Sequence, residues 1–525
     1  MGKPRLPNQK KAYKELSKRL AGYMMRVRNI YDRLNEKAAM LVESVGYDGL
    51  TEFSFDDYPE IEREVKLLLS QFVGELQTLI YSGTSSEWKS SNTFQDAVAD
   101  KALKYYRAQV HGDRFKHYYR DNGDQLKDFL HRKENGLNLS SKLWNQSGNY
   151  KESLEVTIST AIEKGMSATT LSKKLSRYLN DWPSLQADYQ EKYGKATNIH
   201  DCEYRSLRLA RNEISMAYRS AEQARWQQFD FILGYKIKLS DSHPRYDICD
   251  DLAGDYPKDF KFRGWHPNCL CYTVPIVMSE DEYWSDNREN SPNKITAPPK
   301  NFGEWVDKVE NLERIGKANG KGTLPYWLRD NAKIKDCSVL MSKARTYGDT
   351  IQKQAGTIAR KYNGIVTPIN YKSFSSMYRK LNSEKDMLVS DIKDSIRNTI
   401  VVEKENIDSV VKELQSLPTF DRYKSQTPEK FFGYSGNIIN LKMPNGIQAE
   451  IQVNTPKMIY AKEAEGNARK ILGDKVWEQI AKETGIQGGL GHKYYEEIRV
   501  LDEVKDMSKI AELTKLSKSY YVHFR

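Results

Sequence analysis

Cysteine is scarce in this chain, with five among 525 residues. So few thiols in so long a sequence make no disulfide framework, and a reducing compartment is the default expectation. Long apolar runs are missing as well, so no segment is expected to span a bilayer and no membrane is expected as a partner. The opening stretch, MGKPRLPNQKKAYKEL, carries charge with no apolar run behind it and does not read as a secretion signal. What is present is ordinary for a globular, soluble protein: 39% hydrophobic and 29% charged residues. At this length two to four domains are expected. The formal net charge of +11 favours polyanionic neighbours such as nucleic acid or nucleotides, without saying which.

Residues from about 9 to 180 read as helix. Tyr13–Val45 and Tyr58–Tyr81 carry apolar residues at spacings of three and four, and Ile61, Val65, Leu68, Phe72, Leu76 and Leu79 form one such stripe. The basic run Lys11, Lys14, Lys18, Arg19, Arg26 and Arg28 reads as a solvated helix face. Helices are expected over Lys151–Glu163, over Ala168–Leu179 with Ser167 as its cap, and over Asp201–Arg225; Phe229–Leu239 then reads as strand.

Four of the five cysteines fall between Cys202 and Cys271, and His243 and His266 lie among the last three. Cys269 and Cys271 reach one ion if a bend turns both inward, and Cys249 with His266 or His243 then completes a tetrahedral Zn²⁺ set. The spacing is not that of a standard finger. The alternative is a compact loop of buried cysteines anchored by Trp265. Arg211, Glu213, the helix before Trp226, the segment Asp241–Asp247 and the run His266-Pro-Asn-Cys-Leu-Cys271 resemble phage head-morphogenesis proteins of the Mu F and SPP1 minor head type, over roughly residues 120–275. In that family the run ends His-Pro-x-Cys-Arg-Cys; here Leu270 stands for the Arg. The resemblance implies a minor capsid component of the virion or procapsid, with portal or capsid proteins as partners and DNA nearby.

Residues 282–305 are rich in Asn, Pro, Ser and Lys and read as a linker. A helix around Trp305–Ile315, a glycine-rich loop GKANGKGTLP and a helix from Val339 to Tyr362 are expected to follow. The domains are read as 1–120, helical; 121–281, head-morphogenesis-like; 282–339, linker and connecting helix; and 340–525.

The last of these reads as mixed α/β. Helices are expected at Ser373–Leu381, Met387–Asp394, Ile407–Leu417, Lys457–Leu472, Lys475–Thr484 and Lys509–Ser519. Strands are expected at Arg397–Val402, Phe420–Tyr423 and Tyr495–Leu501. Asn437–Met443 and Ile447–Val453, joined by Pro-Asn-Gly, form a hairpin. Along its second strand Ile447, Ala449, Ile451 and Val453 face one way and Gln448, Glu450, Gln452 and Asn454 the other. That polar face is either solvated or the floor of a cleft. Lys372, Ser376 and Lys380 are spaced by four, and Arg379 lies seven beyond Lys372, so they share a helix face; Lys424 and Lys430 precede the hairpin, Tyr434 follows Gly433, and His492 follows Gly488-Gly-Leu-Gly491. Cations for a triphosphate, carboxylates for Mg²⁺ and an exposed ring for a base are the parts of a nucleotide site. Taken singly, the lysines read as solvated, Tyr434 as core and His492 as a packing residue.

The runs Tyr371–Lys380, Asp391–Val402, Tyr423-Lys-Ser, Phe432-Gly-Tyr434, Glu450-Ile-Gln-Val-Asn-Thr455 and Gly491-His-Lys-Tyr494 are similar, in order, to the motifs of RelA/SpoT-type alarmone synthetases, over about residues 340–505. The resemblance implies transfer of pyrophosphate from ATP to the 3′-hydroxyl of GDP or GTP, or of tRNA in toxin relatives. By position Tyr434 stacks on the acceptor base, and Glu450 is the catalytic carboxylate that binds Mg²⁺ or draws the proton from the 3′-hydroxyl. Lys372, Ser376, Arg379, Lys380, Arg397, Lys424 and Gln452 contact nucleotide, and His492 lies near the acceptor. The second Mg²⁺ carboxylate falls one place off register, and Asp391 is preferred to Asp394. Asn370 and Asn454 stand where the family has arginine, which suits a toxin-like branch or an inactive enzyme. The combined expectation is a multidomain chain with a mainly α-helical N-terminal half, a small α+β cysteine/histidine segment and a C-terminal α/β nucleotidyltransferase-type domain. Its expected role is a phage head-associated protein delivering a pyrophosphokinase into the host cytoplasm, or else a purely structural head protein.

Overall fold

The computed structural model describes residues 2–108, 113–163, 166–197, 201–243, 245–384, 386–498, 501 and 506–525. The chain divides into two compact units, Met1–Phe302 with Pro325–Asn331, and Gly303–Leu324 with Ala332–Arg525. No described helix is long and apolar enough to cross a membrane.

The first unit is built on long helices, Gln9–Ser44, Glu62–Tyr105, Leu139–Ala161 and Cys202–Gln228. The expected stripe from Ile61 to Leu79 is buried throughout, against Val27, Tyr31, Leu34 and Val42 of one neighbour and Leu143, Leu154 and Ile158 of another. Ser167 caps the helix Ala168–Asn180 by accepting from the Thr170 N–H. The helix expected to stop at Tyr81 runs on to Tyr105, because the small and polar residues Gly83, Thr84, Ser91, Asn92 and Gln95 are buried on its inner face. Three antiparallel strands follow, β1 (Ile232–Lys238), β2 (Gly254–Tyr256) and β3 (Tyr272–Val277), in the order β2-β1-β3. The linker read at 282–305 is not featureless. Its Ile295 N–H donates to the Leu233 carbonyl, and the helix Lys300–Asp307 begins inside it.

In the second unit the single helix expected from Val339 to Tyr362 is two, Ala332–Arg345 and Gly348–Lys361. A six-stranded sheet comprises β4 (Ile365–Val366), β5 (Asn370–Tyr371), β6 (Ile396–Val401), β7 (Phe420–Gln426), β8 (Gly436–Lys442) and β9 (Gln448–Asn454). Its order is β4-β6-β9-β8-β7, with β5 also on β6. Only β6 and β9 are parallel, a pairing that needs a crossover, and helix Ile407–Gln415 supplies one. The Asn-Gly hairpin forms as expected, with Asn445 and Gly446 both at positive φ (67° and 77°). One sheet face packs Ile396, Ile400, Ile439, Leu441, Ala449, Ile451 and Val453 against Ile351, Ala355, Val410 and Leu414. The opposite face carries the amides and acids of β9, and these too are buried, so the solvated-face reading fails.

Two further expectations give way. The helix read over Lys457–Leu472 breaks at Glu463 and Ala464 into Pro456–Lys462 and Glu465–Leu472. The run read as strand Tyr495–Leu501 is helical up to Ile498, in Leu490–Ile498; Arg499 and Val500 lie outside the described residues. Its β-formers are overridden by packing on the last helix, Met507–Val522, where Tyr494 meets Tyr520 edge-on at 6.1 Å. Gly491 makes that approach close: a Cβ there would fall on the Tyr521 hydroxyl and ring. Gly491→Ala is expected to lower the stability of this unit by about 1–3 kcal/mol, read from urea unfolding, because the ring must move or the helices separate.

Candidate functional site

The site is built outward from β9. Its parallel partner β6 sets Arg397 beside Glu450 and Thr399 beside Gln452. On the other flank β8 sets Asn440 beside Glu450, and β5 sets Asn370 beside Arg397. Residues in register share a face, so Asn370, Arg397, Glu450 and Asn440 form one row across four strands. Glu450 is 9% exposed and accepts from Gln452 Nε2 at 2.7 Å. Gln452 in turn accepts from Lys462 Nζ at 3.3 Å.

Lys462 stands 5.6 Å from the centre of the Tyr434 ring. Tyr434 is half-buried, with the Tyr521 ring edge-on at 5.6 Å and its hydroxyl accepting from Asn454 Nδ2 at 2.5 Å. Where the family resemblance has arginine, then, Asn454 braces the tyrosine. The loop that delivers Tyr434 turns at Gly433, whose φ of 95° and whose closeness to the Lys518 backbone exclude a side chain. Arg525 donates to the Gly433 carbonyl at 2.8 Å and pins the same turn.

Above this face lies a cavity of about 880 Å³. Arg397, Lys430, Lys462 and Lys470 supply its positive charge against the carboxylate of Glu463, Tyr434, Tyr495, Tyr521 and His492 its rings, and Thr399 and Gln452 its floor. Anions and a flat base both suit such a lining.

Lys372 is tied to the same sheet, its N–H donating to the Ser395 carbonyl at 3.1 Å. Its ammonium bonds Asp394 at 2.5 Å, and Lys380 lies 3.8 Å from the same carboxylate. Burial works against the charge on Asp394. The hydrogen bond from Lys372 and the charges of Lys372, Lys380 and Arg397 overcome it, and the carboxyl titrates below its ordinary range. Asp391 is placed differently: exposed, it accepts from the Leu388 N–H at 2.9 Å in the short turn Val389–Asp391. Ser376 is engaged locally by Ser373, which caps the helix Phe374–Ser383; Arg379 is exposed on that helix. Lys424 extends over the Phe431 ring at 4.8 Å, and His492 is exposed 3.7 Å from Glu496.

Sequence reading missed Lys462, Lys470, Asn467 and Tyr521 in the cavity wall, and Arg345, whose guanidinium lies 4.6 Å from the Tyr371 ring centre. Thr455 gave one usable signal: a capping residue directly after β9 starts a helix that carries Lys462 back over the sheet.

In the first unit the Sγ atoms of Cys249, Cys269 and Cys271 lie within 4.8 Å of one another. His266 Nε2 is 3.1 Å from Cys249 Sγ. His243 instead bonds Asp250 at 2.9 Å. This Cys/His cluster can coordinate a metal ion.

No protein-family model matches the chain. A stretch of 172 residues is 38% identical to the (p)ppApp synthetase toxin Tas1 of Pseudomonas aeruginosa strain UCBPP-PA14, covering 33% of this chain and 38% of that protein. A solved structure, of the complex between the Type VI effector Tas1 and its immunity protein, is 34% identical, over 36% of this chain and 97% of that one, with a TM-score of 0.33. The C-terminal region thus resembles Tas1 and is homologous to RelA/SpoT-type synthetases. The head-morphogenesis expectation is corrected. The part of the chain that matches a known protein, 33% of its length, resembles a synthetase toxin and not a phage portal or capsid protein, so portal or capsid partners, nearby DNA, a virion or procapsid location and delivery from there into a host cytoplasm are set aside. That likeness rests on short stretches, Arg211 and Glu213, the helix before Trp226, Asp241–Asp247 and His266–Cys271.

Proposed function

We propose that the C-terminal unit is a toxin enzyme that moves the β,γ-pyrophosphate of ATP onto the 3′-hydroxyl of an adenine nucleotide. One observation carries the reading: an enclosed carboxylate, Glu450, is held abreast of Arg397 and hydrogen-bonded to Gln452, and both of these line a cavity ringed by cations and tyrosines. The name of the relative, a (p)ppApp synthetase toxin, supports an adenine acceptor over the guanine nucleotide or tRNA expected from the wider family.

In this reading Tyr434 stacks on the acceptor base, and Arg397, Lys462 and Lys470 take phosphate oxygens. Lys372, Arg379 and Lys380 serve the donor triphosphate. Arg345, over Tyr371, supplies the cation that Asn370 lacks. The acceptor 3′-oxygen attacks the β-phosphorus, the bond from that phosphorus to the α–β bridging oxygen breaks, AMP leaves, and the hydroxyl proton passes to Glu450. The donor set fits Mg²⁺: Asp394 Oδ1 is buried with no hydrogen-bond partner among the described residues, and Mg²⁺ takes carboxylate oxygens together with phosphate. Bound there, the ion offsets triphosphate charge. A neutralising protein partner accompanies this reading, as an immunity protein accompanies Tas1.

The test is incubation of the full chain with Mg²⁺ and ATP, alone or with ADP, GDP, GTP or bulk tRNA. Equal amounts of AMP and of a 3′-pyrophosphorylated adenine nucleotide are expected, and both vanish with chelator. Product on guanine nucleotides or tRNA alone overturns the acceptor. No AMP in any arm overturns the enzyme.

A further inference from the structure

We infer that the first unit holds a structural zinc ion on Cys249, His266, Cys269 and Cys271. The site is independent of the nucleotide cavity and of the transfer reaction. Tetrahedral zinc with Zn–S bonds of about 2.3 Å sets its sulfurs about 3.8 Å apart. Cys249 and Cys269 Sγ are 3.7 Å apart, and Cys271 Sγ is within 4.8 Å of both. All three cysteines are buried free thiols, so no disulfide accounts for their convergence.

The fourth ligand is His266. Its Nε2 is 3.1 Å from Cys249 Sγ, while its Nδ1 lies 2.8 Å from the Pro267 carbonyl. A proton on Nδ1 makes that contact a hydrogen bond and leaves the Nε2 lone pair facing Cys249 Sγ, with Asp247 Oδ2 at 3.3 Å from the same nitrogen; a carbonyl on the far ring nitrogen is the arrangement found around zinc-bound imidazole.

Charge agrees with the geometry. Three thiolates and one Zn²⁺ sum to one negative charge, which is costly in a buried place unless paired. Arg219, itself buried, donates to the carbonyls of Cys269 and Cys271 at 2.8 and 2.9 Å and to that of Arg263 at 3.0 Å. A permanent cation thus lies under the ligand loop. The ion would fasten the short helix Ile248–Leu252, which carries Cys249, to the start of β3, which follows Cys271 directly. Between them the chain is mostly irregular and has little ladder of its own.

A rival trio shares Cys249: His243, Asp247 and Cys249 also converge. Sulfur count separates the two sets, three for the proposed site and one for the rival.

The experiment uses full-length protein expressed with added zinc and purified under reducing conditions without chelator. Metal analysis is expected to give about one zinc per chain, and X-ray absorption a shell of three sulfurs and one nitrogen. Cobalt in place of zinc is expected to show tetrahedral d–d bands and thiolate charge transfer. Cys269→Ser and His266→Ala are each expected to lower bound zinc to less than about a tenth of an ion per chain, while Cys337→Ser, remote in sequence, keeps it. Because the wild-type absorption shell needs no variant, misfolding of a variant cannot mask the answer. A one-sulfur shell, zinc retained in both ligand variants, or protein that takes up no zinc on titration with its thiols reduced would each overturn the assignment.

Discussion

Glu450→Gln is expected to lower pyrophosphate transfer by about 10³-fold, the range over which a positioned general base contributes. The substitution keeps the shape of the side chain and an oxygen to accept from Gln452, whose amide now holds Glu450 Oε1 at 2.7 Å. Asn440, its cross-strand neighbour, is uncharged, and Arg397 on the other flank still faces the cavity. The fold should therefore persist, with a thermal midpoint within about 2 °C of wild type, since the buried amide keeps the volume of the carboxylate and its hydrogen bond from Gln452. Loss of the carboxylate removes both the proton acceptor and a negative charge. A single-turnover assay of AMP formation with saturating Mg²⁺ and ATP isolates the chemical step. Unchanged AMP release from a folded variant would remove Glu450 from the reaction.

Asp394→Asn is expected to cost about 10²-fold or more in the same assay, with a raised Mg²⁺ requirement, whereas Asp391→Asn should stay within about threefold of wild type. The contrast follows from placement. Asp394 sits against Lys372 and Lys380 with a buried oxygen to spare, while Asp391 caps an exposed turn. The variant should also change behaviour in acid. The Asp394 carboxyl is held below its ordinary value when folded, so its stabilising contribution is present above the ordinary carboxylate pKa and is lost as pH falls through the folded value. Wild type and Asp394→Asn should therefore differ most in stability near neutral pH and converge in strong acid. A larger loss at Asp391 than at Asp394 would restore Asp391 as the metal carboxylate, and equal activity would remove the distinction drawn for Asp394.

Much of this arrangement was legible beforehand because it rests on period and turn chemistry. The stripe from Ile61 to Leu79 and the alternation along Ile447–Val453 each follow from one repeat. The Pro-Asn-Gly turn fixed the register of β8 on β9, and with it the neighbour of Glu450. What escaped depends on contacts between distant parts of the chain. No local pattern shows that the amides of β9 would be covered, that the helix after Thr455 would stop at Lys462, or that Tyr495 would continue a helix. Asp391 and Asp394 are three apart, and the positions of Lys372 and Lys380 distinguish their surroundings. The cysteine cluster was readable from the positions of Cys249, Cys269 and Cys271, and the fold sets His266 beside Cys249 while His243 turns to Asp250.

Every side chain of β9 is enclosed, and both its edges are paired, to β6 and to β8. The carboxylate proposed to react is therefore mounted on a strand fixed on both edges, while Tyr434, Lys430 and His492 stand on a loop and a helix end at the rim. In the proposed reaction, chemistry and choice of acceptor are thereby divided between parts of different stiffness. Divergence among such enzymes can retune what is modified by exchanging rim residues, and leave untouched the ground on which the bond is made.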